Sequence, residues 1–190
     1  MKFLIMANWR PDYNPDHLYF ITTKAVDYAH LFQRDLVKRL LIDVLDCMHL
    51  RQQVTLYAFV IMPNHIHLVT QFLPQKPLKD WIRDYKKHVA DRVIRQYQAE
   101  NNQQVLNFLA TKMPRPHKQK YKVWEDGYNA KNVFSPEFLR QKMEYIHHNP
   151  CQPHWGLVAN PAEYIWSSAR YYLTDQPTII PVEDARELMI

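Results

Sequence analysis

The stretch from residue 54 to residue 72 constrains the fold most, because it has the pattern of two strands joined by a tight turn. "VTLYAFVIM" (54–62) is rich in β-branched and aromatic residues, and "HIHLVTQF" (65–72) is a second run of the same kind. Pro63-Asn64 between them is a turn signal. The sequence therefore predicts an antiparallel hairpin, around which the rest of the sheet has to be arranged.

The segments on either side of this hairpin alternate between helix and strand. "LYFITTKAV" (18–26) predicts a strand, and "YKVWEDGY" (121–128) predicts a short fourth strand that ends at Asp126-Gly127. Helical spacing of apolar residues runs from Leu31 to Leu50 and again from Leu78 to Val93, and "VLNFLA" (105–110) either prolongs or follows this second helix. The apolar positions predicted for the first helix are Phe32, Leu36, Leu40, Val44 and Met48.

A last helix is predicted from Ser135 to about Asn149. Ser135 is a good N-cap, Pro136 suits the first helical position, and Pro150 stops the helix. The order β-α-β-β-α-β-α matches a ferredoxin-like split β-α-β fold of the α+β class. We therefore expect a four-stranded antiparallel sheet with helices on one face, plus a C-terminal helix and tail. We expect one domain over residues 1–190, with a core at about 18–150 and a C-terminal extension at 151–190.

Composition excludes some function classes. With only 2 glycines in 190 residues, the chain has neither a P-loop nor a Rossmann fingerprint. A net charge of +5 favours anionic partners, nucleic acid first. The 2 cysteines give no disulfide framework, which suggests a reducing compartment, and no stretch is long enough to span a membrane. We expect a cytoplasmic, nucleoid-associated protein that does not bind membranes.

The two histidines of the hairpin form a candidate metal site. His65 and His67 are i and i+2 on one strand, so they share a face, while Ile66 and Leu68 share the other. If the apolar pair faces the helix-covered core, the two imidazoles stand on the open face, close enough to bind one ion. A pair of merely packed or solvated histidines is the alternative interpretation.

Tyr145 and Asn149 add to this site. They are i and i+4, hence neighbours on one face of the last helix, and both lie beside its apolar stripe. Asn149 offers an amide oxygen at a helix C-terminus, where the partial negative charge favours a cation. Two imidazoles with an amide oxygen make a mixed N/O set, which suits Mg²⁺ or Mn²⁺ with water completing the coordination.

Several pieces of the chain, in order, resemble one family. "MPNHIHLV", "VWEDGYNAKNVFSPEFL", "YIHHNP" and "GLV…YIWSSARYYL" together are similar to the HUH single-tyrosine endonucleases, and among them to the REP-associated tyrosine transposases. The likeness runs roughly from Tyr19 to Leu173. It implies that His65 and His67 are metal ligands, that Asn149 is the third ligand, and that Tyr145 is the nucleophile. The segment "CQPHWG" (151–156) departs from the family pattern, so the resemblance implies the chemistry but not the DNA-sequence preference.

The activity implied by this resemblance is metal-dependent nicking and strand transfer on single-stranded, hairpin-forming repeat DNA through a 5′-phosphotyrosine. Basic residues of the second helix and of the following loop are candidates to hold the DNA backbone, although a solvated charged face is the alternative. These candidates are Lys86, Lys87, Lys112, Arg115, Lys118, Lys120 and Lys122. Trp155 is a further candidate to stack on bases. A monomer and a homodimer are equally compatible with the sequence.

Three other functions remain open at this level. Ferredoxin-like sheets also bind single-stranded RNA through aromatic residues, so the chain could be a domesticated nucleic-acid-binding protein without cleavage. A replication or plasmid-transfer initiator of the same superfamily would usually be larger and would often carry two nucleophilic tyrosines, whereas this chain has one in the right place. A small zinc hydrolase would need a third strong ligand, which the sequence does not offer.

Overall fold

The computed structural model describes residues 13–113 and 119–189. The strands are β1 (Leu18–Lys24), β2 (Val54–Ile61), β3 (His65–Phe72) and β4 (Asn129–Val133). The helices are α1 (Asp35–Leu50), α2 (Leu78–Ala99), α3 (Gln103–Thr111), α4 (Pro136–His148) and α5 (Ala169–Thr174). The predicted hairpin is confirmed, and "VLNFLA" belongs to a separate helix, α3, rather than to a longer α2.

The four strands form one sheet in the order β2-β3-β1-β4. Every neighbouring pair is antiparallel, and β3 lies between β1 and β2, as the split β-α-β arrangement requires. In the register of β1 with β3, Thr22 is opposite His67 and Phe20 is opposite Val69. The α+β class and the four-stranded antiparallel sheet predicted from the sequence are therefore confirmed.

Helices α1 and α2 cover the face of the sheet that carries Phe72. The ring of Phe72 lies 5.4 Å from that of Trp81 on α2, centroid to centroid. Tyr85 on α2 donates its hydroxyl to the carbonyl of Leu41 on α1 at 3.3 Å, which joins the two helices. Ile66 and Leu68 share this face with Phe72 and are fully buried, as predicted.

The opposite face of the sheet, where His65 and His67 lie, is covered at this position by α4. The apolar residues Leu139, Met143 and Ile146 of α4 are buried. Tyr145 on the same helix places its ring 5.1 Å from that of His67. The prediction that both imidazoles stand on an open face was wrong for His67, which is 4% exposed, because α4 packs over it.

The fourth strand was predicted at the wrong residues, and the predicted stripe of α1 is only partly correct, since Val44 and Met48 are buried but Leu36 is not. Within 121–128, Trp124 makes a single bridge to Ala25, and β4 begins only beyond Gly127, whose φ of 71° turns the chain. Trp124 is a core residue whose indole donates to the Lys86 carbonyl at 3.0 Å.

On α1, repeated steps of four residues drift about 40° each around the helix. Leu36, from the predicted stripe, is therefore exposed, and the buried residues are Val37, Lys38, Leu41, Ile42, Val44, Leu45 and Met48.

The C-terminal extension packs along the outer edge of β2. Ile61 donates its N–H to the Trp166 carbonyl at 2.9 Å, and Ser168 donates to the Phe59 carbonyl at 3.0 Å. Further along, Glu183 donates to the Leu56 carbonyl at 2.8 Å. Backbone groups that an edge strand would leave free are therefore paired by residues beyond α4.

Ser168 joins three parts of the fold and provides a test of this packing. Its hydroxyl accepts from the Phe59 N–H at 3.0 Å and contacts the buried His147 Nε2, also at 3.0 Å. Ser168→Ala should therefore lower the free energy of unfolding by about 1–3 kcal/mol, because a buried donor loses its partner. Urea denaturation measures the change. Thr174→Ala, which alters an exposed hydroxyl bonded within α5, is the control and should stay within about 0.5 kcal/mol of wild type. Equal stabilities would contradict the role given to Ser168.

Among the described residues, no helix combines the length and the apolar character that crossing a membrane requires.

Candidate active site

A cleft of about 370 Å³ lies between the ends of β1 and β3, the C-terminal end of α4 and the loop that follows it. All four residues that the sequence predicted for metal binding and nucleophilic attack line it: His65, His67, Tyr145 and Asn149. The strand pair supplies the histidines, and α4 carries the tyrosine and ends at the asparagine. The structure thus brings together residues separated by some eighty positions in the chain.

His67 is fixed from two sides. Its Nδ1 lies 2.7 Å from the hydroxyl of Thr22, its cross-strand neighbour, and its ring stacks on Phe20 with centroids 5.3 Å apart. The other ring nitrogen, Nε2, is buried and has no hydrogen-bond partner among residues 13–113 and 119–189. A buried polar atom without a partner is costly in a native fold, and a metal ion would satisfy this one.

His65 is oriented by the turn of the hairpin. Its Nδ1 lies 2.6 Å from the Asn64 side-chain oxygen, and the amide nitrogen of Asn64 donates to the Tyr28 carbonyl at 3.0 Å. Because an amide oxygen only accepts, Nδ1 of His65 carries the hydrogen and Nε2 keeps its lone pair. Histidines that bind metals are commonly held in this way, through the second ring nitrogen.

Burial keeps both imidazoles uncharged at neutral pH. It lowers the pKa of His65 to about 4, with Lys24 and His154 adding repulsion, and it holds the pKa of His67 well below its usual value. A histidine must be neutral to bind a metal ion. The electrostatics of the cleft therefore suit ligation rather than a cationic role for the pair.

Asn149 completes the donor set. It is 4% exposed, and its side-chain oxygen has no hydrogen-bond partner in the described part of the chain. It follows directly on α4, whose C-terminal carbonyls carry partial negative charge. Two imidazole nitrogens and one amide oxygen fit a divalent ion such as Mg²⁺ or Mn²⁺. The described residues contain no cluster of three or more His, Cys, Asp or Glu that could hold a metal, so this mixed set is the candidate.

Tyr145 stands at the mouth of the cleft. Its side chain is 46% exposed, while its ring packs edge-on against Phe20 at 6.0 Å and against His67. The hydroxyl makes no hydrogen bond to any described residue, so within this part of the chain it is free to react. A phenol held by its ring and free at its oxygen is the arrangement that a nucleophile needs.

Lys142 is a site residue that the sequence reasoning missed. Its ammonium nitrogen lies 5.2 Å from the Phe20 ring centroid and 5.9 Å from that of Tyr145. Burial and repulsion from Lys131 lower its pKa. It precedes Tyr145 by three residues, so the helical spacing that linked Tyr145 to Asn149 would also have identified it.

Trp155 forms the opposite wall of the cleft. Its ring lies 5.9 Å from that of His65 and 5.5 Å from that of His30. The segment "CQPHWG", which departs from the family pattern, therefore contributes directly to the site. Base stacking by Trp155 stays a prediction.

Four of the basic residues predicted to bind DNA line a second cleft of about 880 Å³: Lys86, Lys87, Lys120 and Lys122. Arg115 and Lys118 lie outside the described residues. Lys87 and Lys120 are exposed, whereas Lys122 pairs with Asp126 at 2.9 Å. Lys112, named with this loop, pairs elsewhere, with Asp27 at 2.8 Å.

Lys86 differs from the other lysines of this cleft. Its ammonium donates to the carbonyls of Glu125 and Gly127 at 2.7 and 2.6 Å, and burial lowers its pKa to about 8. Two of its three donors are therefore used to hold the turn before β4. This leaves Lys87 and Lys120 better placed than Lys86 to bind phosphate.

The sheet with its two histidines and the helix that carries Tyr145 contain the motifs on which the sequence resemblance rests. The family model described as "Transposase IS200 like" matches residues 17–149, which include all four candidate site residues. The chain belongs to this family of transposases.

Solved structures similar to this one include two described as transposases. One is described as the structure of a REP-associated tyrosine transposase bound to a REP hairpin. It matches with a TM-score of 0.59 at 17% identity, over 94% of this chain and 93% of that one, which shows a shared fold. The other, a proposed transposase from Deinococcus radiodurans R1, has a TM-score of 0.44 at 22% identity, over 74% and 95% of the two chains. A search of curated proteins gives no match.

Proposed function

We propose that this protein nicks single-stranded DNA and transfers the strand through a covalent phosphotyrosine on Tyr145, with Mg²⁺ or Mn²⁺, at hairpin-forming repeats. The observation that carries the proposal is the meeting, in one cleft, of Tyr145 with two buried atoms that have no hydrogen-bond partner among the described residues, His67 Nε2 and Asn149 Oδ1. Membership of a transposase family and the fold shared with a hairpin-bound transposase support it.

The chemistry assigned to Tyr145 is an in-line displacement. Its hydroxyl oxygen forms a bond to the phosphorus of the scissile phosphodiester, and the bond from phosphorus to the 3′ oxygen breaks. The departing 3′ oxygen takes up a proton, and the tyrosine proton is lost to water at this half-exposed position. The product is a 5′-phosphotyrosine with a free 3′-hydroxyl. The new bond conserves the free energy of the phosphodiester, so rejoining requires no nucleotide triphosphate.

His65, His67 and Asn149 would hold the divalent ion. When bound, such an ion polarises the scissile phosphate and neutralises the charge that develops during displacement. The protein's own part is to keep Tyr145 oriented, through ring contacts with Phe20 and His67, while leaving its hydroxyl accessible. Holding the attacking oxygen in position removes much of the entropic cost of the reaction.

The basic cleft beside the site supports a role in holding the DNA. Lys24 lines the active-site cleft, and its carbonyl accepts from the N–H of Glu125, which lines the basic cleft. This backbone hydrogen bond between Lys24 and Glu125 therefore links the two clefts. We propose that the hairpin stem lies along Lys87 and Lys120 while its unpaired end enters the active-site cleft.

A salt titration tests this placement. The double change Lys87→Ala and Lys120→Ala should reduce the slope of log affinity against log salt by about 1.8, at about 0.9 for each phosphate contact on the double-stranded stem. Lys86→Ala should change the slope less, because its ammonium is bonded to carbonyls. Lys79→Ala, at an exposed position outside the cleft, is the control. An unchanged slope in the double variant would show that this surface is only solvated.

One chain supplies every residue of the proposed site, which supports activity without a second copy. A homodimer, in which each copy carries its own complete site, is equally consistent with the proposal. We further propose that residues 1–190 act as one domain, because the extension pairs with β2, and that the protein works in the cytoplasm at the nucleoid.

The direct test is to incubate the protein with a labelled library of single-stranded hairpins and Mg²⁺ or Mn²⁺. A covalent protein–DNA adduct that survives SDS electrophoresis, mapped by peptide analysis to Tyr145, is the expected result. Binding without an adduct under every metal condition would favour a nucleic-acid-binding protein that does not cleave.

A further inference from the structure

A row of side chains continues from Tyr145 along α4 and away from the metal ligands. Phe138, Lys142 and Tyr145 follow one another on α4 at steps of four and three residues, which places them on one side of the helix. Phe134 precedes the N-cap Ser135 and joins this side through its contact with Phe138. The Phe134 and Phe138 rings stack, with centroids 5.2 Å apart and planes at 13°. Lys142 continues the row, with its ammonium 4.8 Å from the Phe138 ring centroid. We call these four residues the α4 row.

The outermost residue of the row is unusual for its exposure. Phe134 is 78% exposed, although it is large and apolar. It directly precedes the N-cap Ser135, and a residue there can secure a helix start by packing on the fourth helical residue, here Leu139. Phe134 stacks instead on Phe138, the third helical residue, and stays in solvent. A role at the start of the helix therefore does not account for the large exposed surface of Phe134.

The charges around the row are positive. Lys131 on β4 is directly opposite Phe20 on β1, so their side chains share the sheet face on which α4 lies. Neither Lys131 nor Lys142 forms an ion pair within the described residues. The two carboxylates of α4, Glu137 and Glu144, fall outside the row by their spacing. A surface with stacked aromatic rings and unpaired cations is complementary to a single nucleic-acid strand, whose bases stack and whose backbone is anionic.

We propose that the α4 row is the path along which the unpaired strand next to the scissile phosphate reaches Tyr145, its bases stacking on Phe134 and Phe138 and its phosphates close to Lys131 and Lys142. From Phe138 to Tyr145 is two helical turns, about 11 Å. That length corresponds to about three nucleotides at a stacked spacing of about 3.4 Å. The direction in which the strand runs along the row depends on whether the row holds the nucleotides before or after the scissile phosphate.

This path rests on the proposed function only for the role of Tyr145, and binding measurements test it separately. Fluorescence anisotropy with a labelled single-stranded oligothymidylate, without divalent metal, should show Phe134→Ala and Phe138→Ala weakening binding about fivefold or more, the lower range for one lost stacking contact. Phe134→Trp should bind at least as tightly as wild type. Lys142→Ala should lower the salt slope by about 0.7.

Leu50→Ala is the matched control, because Leu50 is 69% exposed at the end of α1, in the layer on the opposite face of the sheet. Thermal unfolding of each variant separates stacking from helix capping. The proposal requires Phe134→Ala to lose affinity while its melting temperature stays near that of Leu50→Ala. Binding within twofold of Leu50→Ala, or a loss of affinity that Phe134→Trp does not restore, would overturn it.

Substrates with 2-aminopurine at single positions then locate the strand. Its fluorescence is quenched by stacking, so Phe134→Ala should restore fluorescence at one or two adjacent positions and nowhere else. The two proposals can fail independently. An adduct at Tyr145 with unaffected binding by both phenylalanine variants would remove the path and keep the nicking function. Weaker binding by both phenylalanine variants, together with no adduct in the wild-type protein, would keep the path and remove the nicking function.

Discussion

The Tyr145→Phe variant is expected to bind hairpin DNA with wild-type affinity and to form no covalent adduct at all. The change removes only the hydroxyl, which makes no hydrogen bond to a described residue, and keeps the ring that packs on His67 and Phe20. Its free energy of unfolding should therefore stay within about 0.5 kcal/mol of wild type. Adduct formation on SDS gels, binding by anisotropy and stability by urea denaturation measure the three quantities in one set of proteins.

Two other tyrosines make this experiment specific. Tyr164 donates its buried hydroxyl to the Ile61 carbonyl at 2.8 Å, so Tyr164→Phe should lose about 1 kcal/mol of stability and keep full adduct formation. Tyr28 lines the same cleft as Tyr145, and its hydroxyl accepts from Lys24 at 3.0 Å. It is the competitor that the structure identifies, and Tyr28→Phe should retain the adduct. A phosphotyrosyl link mapped to Tyr28 would remove the role assigned to Tyr145.

The second large effect is expected at His65. His65→Ala should lower the rate of adduct formation by more than about 100-fold and weaken Mn²⁺ binding measured by calorimetry without DNA. Residues that only hydrogen-bond a ligand typically cost 10–100-fold when changed, and a ligand itself should cost more. Asn64→Ala, which removes the partner of His65 Nδ1, should fall within that smaller range.

His49→Ala is the matched control for His65. His49 is also half-buried, with its Nδ1 3.1 Å from a carbonyl oxygen, that of Val54, but it lies on α1 in the layer on the opposite face of the sheet. His67→Ala is a less clean test, because it also removes the stack on Phe20 and the contact with Thr22. Wild-type metal binding and wild-type adduct formation by His65→Ala would refute the ligand assignment.

Local spacing explains how much of the site could be predicted from the sequence. Alternation along β3 predicted that His65 and His67 share one face, and the step of four residues on α4 predicted that Tyr145 lies beside Asn149. In the structure all four side chains line one cleft. These relations depend only on the geometry of one strand or one helix. The apolar runs of β1, β2 and β3 were recognisable for the same reason, since those strands are largely buried.

Tertiary contacts explain what the sequence could not provide. β4 has the composition "NAKNV" and lies at the edge of the sheet, so only its pairing with β1 makes it a strand, while the more strand-like "YKVW" contributes Trp124 to the core. The burial of His67 depends on where α4 docks, and the engagement of Lys86 depends on the turn that it holds. None of these contacts has a signature in the spacing of residues along the chain.

The pairing of residues 166–168 and Glu183 with β2 bears on how this protein can be divided. The family match ends at Asn149, yet a fragment cut there would expose the edge of β2, an eight-residue strand whose sequence is "VTLYAFVI". Long apolar edges of this kind recruit other chains into intermolecular sheets. At the other edge of the sheet, β4 is short, polar and carries Lys131, features that discourage such growth. We therefore expect the extension to protect against aggregation, and the smallest unit that stays monodisperse should reach at least to Glu183.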